Sequence, residues 1–442
     1  MDSRPAHRGH RGGFQQGGRH YPPLRGRRRL DFSRRPQDMT AASKTLLVIG
    51  AGVLQAPAIR RAARMGLRVL ATDMDPAAPG LAAASGHALI STLDIPATVA
   101  YAQRERVDGV LTLATDMPLN TVAAVARACG LPGPSPAVAQ RATNKYKMKQ
   151  TLAARGVPCP RFTLAKSTEQ AVRAADRIGW PAVVKPIFGA GSRGVFLAQN
   201  SRDMAAAFTA ARAFAKRGSA MIEEYARGRH VCVETFSWQG RHRALCAIDR
   251  SVSAPPHFVE LEHRFPSALS KSALRDMERI AAAGLDALGV QSGPAHIDMI
   301  VTARGPLISE IGARLDGDYK SSHFMPLVFG YDIIADAIRA AMGQTPLLFE
   351  NALALEPRSA LCIHYLQPRP GTVARITGKS AARSATGVAH AQISIRRGTV
   401  IKPFSSSHDR VGVIIARGQT RPQARGNARR AAACLRIEYA KT

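Results

Sequence analysis

No stretch of this 442-residue chain reaches the roughly 18 apolar residues that suggest a membrane-crossing helix, so no span is expected. No apolar core of a secretory signal follows the N-terminus. The six cysteines (Cys129, Cys159, Cys232, Cys246, Cys362 and Cys434) are dispersed and form no C-x-x-C. That argues against a disulfide framework or a zinc site, and for a reducing compartment, the cytoplasm. The chain has no G-x-x-x-x-G-K-[ST] loop, no Ser/His/Asp constellation and no internal repeat of 20–50 residues.

Acidic residues are also scarce: 31 Asp+Glu stand against 62 Lys+Arg, a formal net charge of +31. The excess divides in two. Residues 1–38 hold ten Arg and three Asp among Gly, Gln and Pro, with almost no apolar periodicity, and read as a disordered basic tail ending near residue 44. Such a tail suits contact with RNA or an anionic surface by counterion release. The alternative is inert sequence upstream of Met39, which opens M-T-A-A-S-K just before the first strand. The remaining arginines are scattered among Ala-rich helices; Arg421, Arg425 and Arg429, at i,i+4 spacing, read as a solvated helix face.

Against this basic background one acidic stretch stands out, D-M-I-V-T-A-R-G-P-L-I-S-E-I-G-A-R-L-D-G-D from Asp298 to Asp318. Two apolar runs flank T-A-R-G-P, a hairpin pattern. Pairing symmetric about Arg304 sets Asp298 opposite Glu310, with Cβ atoms about 4.5–5.5 Å apart. A turn shifted by one residue sends the two acids to opposite faces. Like charges so close repel unless a cation such as Mg²⁺ lies between them; two solvated acids on an edge hairpin is the other reading. Arg314 follows four residues after Glu310, a fixed cation of the kind that a transferring phosphoryl group needs.

Residues 45–140 alternate strand and helix signals: T-L-L-V-I-G, an amphipathic helix over 56–66, R-V-L-A-T-D and V-D-G-V-L-T-L. This predicts a parallel βαβ sheet. Gly50, Gly52 and Asp73 suggest a dinucleotide fingerprint, but Gln55 stands where its third glycine belongs, so a tight turn without nucleotide is expected; a nicotinamide enzyme stays as an alternative. L-P-G-P-S-P at 131–136 marks a linker. W-P-A-V-V-K-P places Lys185 on a buried strand, costly unless it meets an anion. F-G-A-G-S-R-G follows at once. Gly189, Gly191 and Gly194 let backbone N–H groups curl around phosphate oxygens, with Ser192 and Arg193 adding donors. Beyond about residue 350 the pattern turns to short strands with Pro/Gly turns and a final helix.

Together, and in this order, these segments resemble the ATP-grasp superfamily, and within it the carboxylate–amine ligases, over nearly everything from residue 45 onward. The resemblance implies a mixed α/β and α+β architecture: a Rossmann-like domain without dinucleotide over 45–140, an ATP-grasp domain over 141–350 and a small β-rich C-terminal domain over 351–442. T-N-K-Y-K-M-K-Q is similar to the helix that supplies a nucleotide-binding lysine, with Asn144 for the usual Asp and Lys145 in the lysine position. Lys185 matches the second phosphate-binding lysine, and the glycine loop matches the lid over the phosphates. M-I-E-E-Y matches the hinge, so Glu223, Glu224 and Tyr225 inherit adenine contacts. In G-R-H-V-C-V-E, His230 replaces the ribose-region Glu, as in biotin carboxylase. Asp298 and Glu310 match the metal-binding acids. Gly312 stands where a third ligand, Asn, is usual, leaving that role to Asp316 or water. Arg314 matches the arginine beside the transferred phosphate.

The implied cofactors are ATP with Mg²⁺ or Mn²⁺. The implied reaction activates a small carboxylate as an acylphosphate and joins it to an amine, with Lys185 and Arg314 as the catalytic cations. The loop 257–267 falls where such enzymes contact substrate, making Glu260, His263 and Arg264 candidates; Asp316, Asp318, Lys320 and His323 are weaker ones. Activation of bicarbonate is the alternative that His230 favours. A basic nucleic-acid binder is the remaining one, and a homodimer is the family expectation.

Overall fold

The computed structural model describes residues 44–214, 218–350 and 353–440. The expected basic tail, apart from Lys44, lies outside these residues. Of the described helices, none is long and apolar enough to cross a membrane.

The first wholly apolar run becomes strand Thr45–Ile49, buried on both faces as the centre of a parallel sheet. The strand order is Gly86–Ala88, Arg68–Thr72, Thr45–Ile49, Gly109–Leu111, with parallel pairing throughout. Helix Ala56–Arg64, two residues shorter than expected, buries Ala58, Ile59 and Ala62 against it. The turn after strand Thr45–Ile49 is bonded internally. Asp73 Oδ2 accepts from Ala51 N at 2.8 Å, and Gln55 Nε2 donates to the Leu113 carbonyl at 2.7 Å. The Gln55 side chain thereby fills the space over Gly50 and Gly52.

After the Pro-rich linker, Ser135 and Asn144 cap helices Pro136–Thr143 and Lys145–Ala154. Asn144 Oδ1 accepts from Lys147 N at 3.0 Å, a duty that Asn performs as well as Asp. A four-stranded antiparallel sheet follows, in the order Phe162–Ala165, Ala220–Glu224, Ala182–Pro186, Phe196–Ala198. Helices Thr168–Ile178 and Ser201–Phe214 supply its core.

The main sheet has eight antiparallel strands, in the order Gly305–Gly312, Gly293–Thr302, Arg229–Trp238, Arg241–Val252, Glu260–Phe265, Ala360–Tyr365, Gly412–Gly418, Val388–Ile393. It runs without a break across residue 350, so three strands of the C-terminal segment extend it. Strand alternation divides its first strands into two faces. Val231, Val233, Ala295, Ile297, Met299 and Ile311 pack on helix Lys271–Leu288. His230, Cys232, Glu234, His296, Asp298 and Glu310 therefore point the other way. A second, three-stranded sheet (Val400–Ile401, Gly371–Thr377, Arg436–Tyr439) completes the C-terminal segment with helix Arg421–Ala433.

That helix overturns one expectation. Arg421, Arg425 and Arg429 are not merely solvated, although Arg429 is half exposed: all three pair with buried acids. Arg421 pairs with Asp249 at 2.6 Å, while Arg425 and Arg429 hold Glu262 at 2.9 and 3.0 Å. Asp249 and Glu262 are buried on the sheet, and a buried carboxylate has to be paired.

Candidate active site

The hairpin pairs Asp298 with Glu310, by a route that differs from the expected one. Near the turn Thr302 faces Gly305 and Met299 faces Ile308, a register centred between Ala303 and Arg304 rather than on Arg304. That register alone would oppose Asp298 to Ser309. A bulge between Ile308 and Glu310 takes up the extra residue and brings Glu310 across from Asp298.

Each acid already meets a buried cation. The Lys145 ammonium contacts Glu310 Oε1. Burial pulls the Lys145 ammonium down, but Glu310 and then Asp116 outweigh it and the net shift is upward. Arg250 Nη1 bridges Asp298 Oδ2 at 2.7 Å and Glu260 Oε1 at 2.5 Å. Asp298 Oδ1 is buried with no hydrogen-bond partner among the described residues. Lys185 Nζ lies 2.9 Å from Glu223 Oε2, and Lys149 Nζ lies 3.6 Å from the same oxygen while donating to the Ile308 carbonyl at 2.8 Å. Burial, only partly offset by Glu223, lowers the Lys149 ammonium to about 8.

Arg314 is buried and directs two nitrogens at Asp116 Oδ1, Nη2 at 2.6 Å and Nε at 2.9 Å. Asp116 comes from the first domain, which reaches this point through a parallel bridge between Leu113 and Leu315. Asp316 pairs with Lys320, whose ammonium also lies 3.3 Å from Glu234 and 3.2 Å from Cys232 Sγ. His230 lies beside Ile300 and Arg250, and burial first, then Arg250, lowers its imidazole to about 4. It is neutral at physiological pH.

Gly312 has a steric cause. An added Cβ would fall 2.0 Å from Cε1 of His296, so the imidazole lies over the glycine. His296 Nδ1 is buried and has no partner among the described residues.

The sequence-identified residues therefore fall into three groups. Lys145, Lys185, Glu223, Asp298, Glu310, His230 and Arg314 gather on or beside the polar face of the main sheet. The glycine loop ties to residues near it: Ser192 Oγ donates to the Phe258 carbonyl at 2.8 Å, and Tyr225 stacks obliquely on Phe258 with ring centroids 6.0 Å apart. Glu224 turns away to Arg161 and Arg304, and Arg193 bonds within its own loop, Nε to the Ala190 carbonyl at 3.2 Å. Of the further candidates, Glu260 and His263 join the site, with His263 Nε2 lying 3.5 Å from Glu260 and 3.6 Å from Asp318. Arg264 does not; it lies 3.9 Å from Glu262, on the opposite face.

Sequence reasoning missed Arg250, Lys149, Asp116 and Arg410. Arg250 carries the signal that exposed Lys185, a cation ending a strand run. Lys149 falls four residues after Lys145, on the same helix face. Nothing local distinguishes Asp116 or Arg410.

Two stretches of the chain match known protein families. Residues 178–322 match the ATP-grasp domain, and residues 364–440 match the L-amino acid ligase C-terminal domain 2. By the first of these matches the chain carries an ATP-grasp domain. The crystal structure of an L-amino acid ligase from Bacillus licheniformis shares the fold, with TM-score 0.79, 22% identity, and 91% of this chain and 100% of that chain covered. Among curated relatives, the uncharacterized protein y4rH of Sinorhizobium fredii is 29% identical over 318 residues, covering 71% of this chain and 65% of that protein. The formate-dependent phosphoribosylglycinamide formyltransferase of Ignicoccus hospitalis is 24% identical over 414 residues, covering 90% and 97%.

Proposed function

We propose that this chain is an ATP-dependent carbon–nitrogen ligase that activates a small carboxylate and joins it to an amine, releasing ADP and phosphate. The observation that carries the reading is the convergence of Lys145, Lys185, Asp298 and Glu310 at one end of the polar sheet face, with Arg314 alongside. Both matched domains support it, and the L-amino acid ligase match favours amide formation over bicarbonate activation. The unpartnered Asp298 Oδ1 fits a divalent cation, so Asp298 and Glu310 would hold Mg²⁺ or Mn²⁺. When bound, that ion neutralises phosphate charge.

Lys145 and Lys185 bind and orient the phosphates, and the loop 189–194 covers them and excludes water. Glu223, Tyr225 and His230 line the nucleoside side, while the Glu224 carboxylate is turned away to Arg161 and Arg304. A substrate carboxylate oxygen attacks the γ-phosphorus; the bond to the β-phosphate oxygen breaks and ADP leaves. The amine nitrogen then attacks the acyl carbon, phosphate departs and the nitrogen loses a proton. Arg314 faces the charge that builds on the transferred group. The work is positioning and electrostatics, without an enzyme nucleophile. Glu260, His263 and Asp318 form the pocket that receives substrate polar groups. Six unpaired cysteines support a reducing, cytoplasmic setting.

The test is ADP and phosphate release with Mg-ATP across a matrix of amino acids, small carboxylates, bicarbonate and amines. Release that requires one carboxylate and one amine supports the ligase. Release with bicarbonate alone supports the alternative, and absence of ATP binding overturns both.

A further inference from the structure

The glycine loop is tied down at two points. Ser192, at φ +58°, is held by its Oγ donating to the Phe258 carbonyl at 2.8 Å. The Gly191 carbonyl accepts from Ser407 N at 3.0 Å. Ser407 belongs to the C-terminal segment, far from the loop in sequence.

Both ties lead to Glu260. Phe258 stands two residues before it. Ser407 stands three residues before Arg410, whose Nη2 donates to the Glu260 carbonyl at 3.1 Å and to Oε2 at 3.2 Å. Arg410 Nη1 also meets Asp318 at 2.6 Å, and its guanidinium lies over the Tyr365 ring, 3.6 Å from the centroid. The connecting turn is fixed internally: Asp409 Oδ2 accepts from Ser405 N at 2.9 Å, Ser405 Oγ at 2.9 Å and Ser406 N at 2.8 Å. The turn 405–410 thus joins the loop to Glu260 and Asp318.

We propose that Ser407 and Arg410 are positioning residues: residues 405–410 form a catch that holds the glycine loop closed, and Arg410 anchors that catch to Glu260 and Asp318. This rests on the ligase reading, in which the loop covers the phosphates. Arg410 has no part in the chemistry. The physical need is a loop that stays shut while an acylphosphate awaits its amine, because water would hydrolyse it. One backbone hydrogen bond to a neighbouring domain supplies closure strong enough to matter and weak enough to release.

The backbone offers a clean test. Ser406 is extended, at φ −155° and ψ 168°, and Ser407 opens a helical turn. Proline fits at such a position after such a residue, so Ser407→Pro removes one N–H without disturbing the turn. Hydrogen exchange of residues 189–194 is followed with a non-hydrolysable ATP analogue bound. Ser407→Pro is expected to speed exchange about tenfold, the loss of one ordinary hydrogen bond. It should also raise ADP release uncoupled from amide formation. Ser407→Ala, which keeps the N–H, should match the wild type. Asp409→Ala, which loosens the same turn, should follow Ser407→Pro and serves if that variant does not fold. Unchanged loop exchange in variants that bind the analogue overturns the catch and leaves the ligase reading intact. Failure of the wild type to bind the analogue overturns both.

Discussion

Asp298 lies directly across from Glu310, and in this sequence it does so because the hairpin carries a bulge at Ser309. The two-residue turn sets a register in which Asp298 would face Ser309; the bulge shifts it by one. Since a one-residue slip moves side chains to the other face, the bulge is what puts both acids on the polar side.

Asp298→Asn tests the metal assignment with little structural disturbance. The substitution is isosteric, and Arg250 keeps Glu260 as a partner at 2.5 Å. Mn²⁺ affinity, read by titration with ADP present, should weaken, and kcat should fall by about 10²–10³, the scale of losing one charge-stabilising contact. Unchanged Mn²⁺ binding would remove Asp298 from the metal site.

Asp116→Asn tests how the first domain reaches the chemistry. Arg314 directs two nitrogens at Asp116 Oδ1, so neutralising that acid loosens the guanidinium. We expect kcat to fall by up to about 10²-fold, the scale of a misplacement of about 1 Å, with KM for ATP nearly constant. A rise in that KM at constant kcat would show that Asp116 serves nucleotide binding instead.

Glu262 sets an acid limit on stability. Burial pushes its carboxyl up, but His364, Arg429 and Arg425 outweigh burial and hold it at about 2. A carboxyl depressed on folding stabilises the protein above its unfolded pKa and loses that contribution as pH falls through the folded value. The expected stability is up to about 3 kcal/mol near neutral pH, less at high salt because the Arg429 side chain is half exposed. It should disappear between about pH 5 and pH 2. Thermal unfolding of wild type and Glu262→Gln should therefore converge over that range; a gap independent of pH would refute the assignment.

Gly312→Ala should destabilise the fold by about 1–3 kcal/mol, because its Cβ meets the His296 ring. His296→Ala should relieve most of that cost. Additive effects in the double variant, measured by denaturant unfolding, would mean that the two positions do not interact.

Much of the site was legible because it rests on local patterns. Lys185 followed by Gly189, Gly191 and Gly194 is contiguous. The Asp298–Glu310 hairpin is contiguous too, and Asn144 and Lys145 lie at a helix start. The C-terminal arginines were misread because i,i+4 spacing marks a shared helix face without saying what covers it. Arg425 and Arg429 face Glu262, more than 160 residues earlier.

The sequence by itself determined the parallel first sheet, the buried strand lysine with its glycine loop, and an acid-bearing hairpin, since apolar periodicity, glycine freedom and turn chemistry act over a few residues. Only the tertiary structure decided which charges meet: Lys145 with Glu310, Arg250 with Asp298 and Glu260, Arg314 with Asp116, Arg410 with Glu260 and Asp318. Those pairings depend on strand order, on one bulge and on contacts between domains. A buried charge is satisfied by whatever the fold brings within reach, not by what lies near it along the chain.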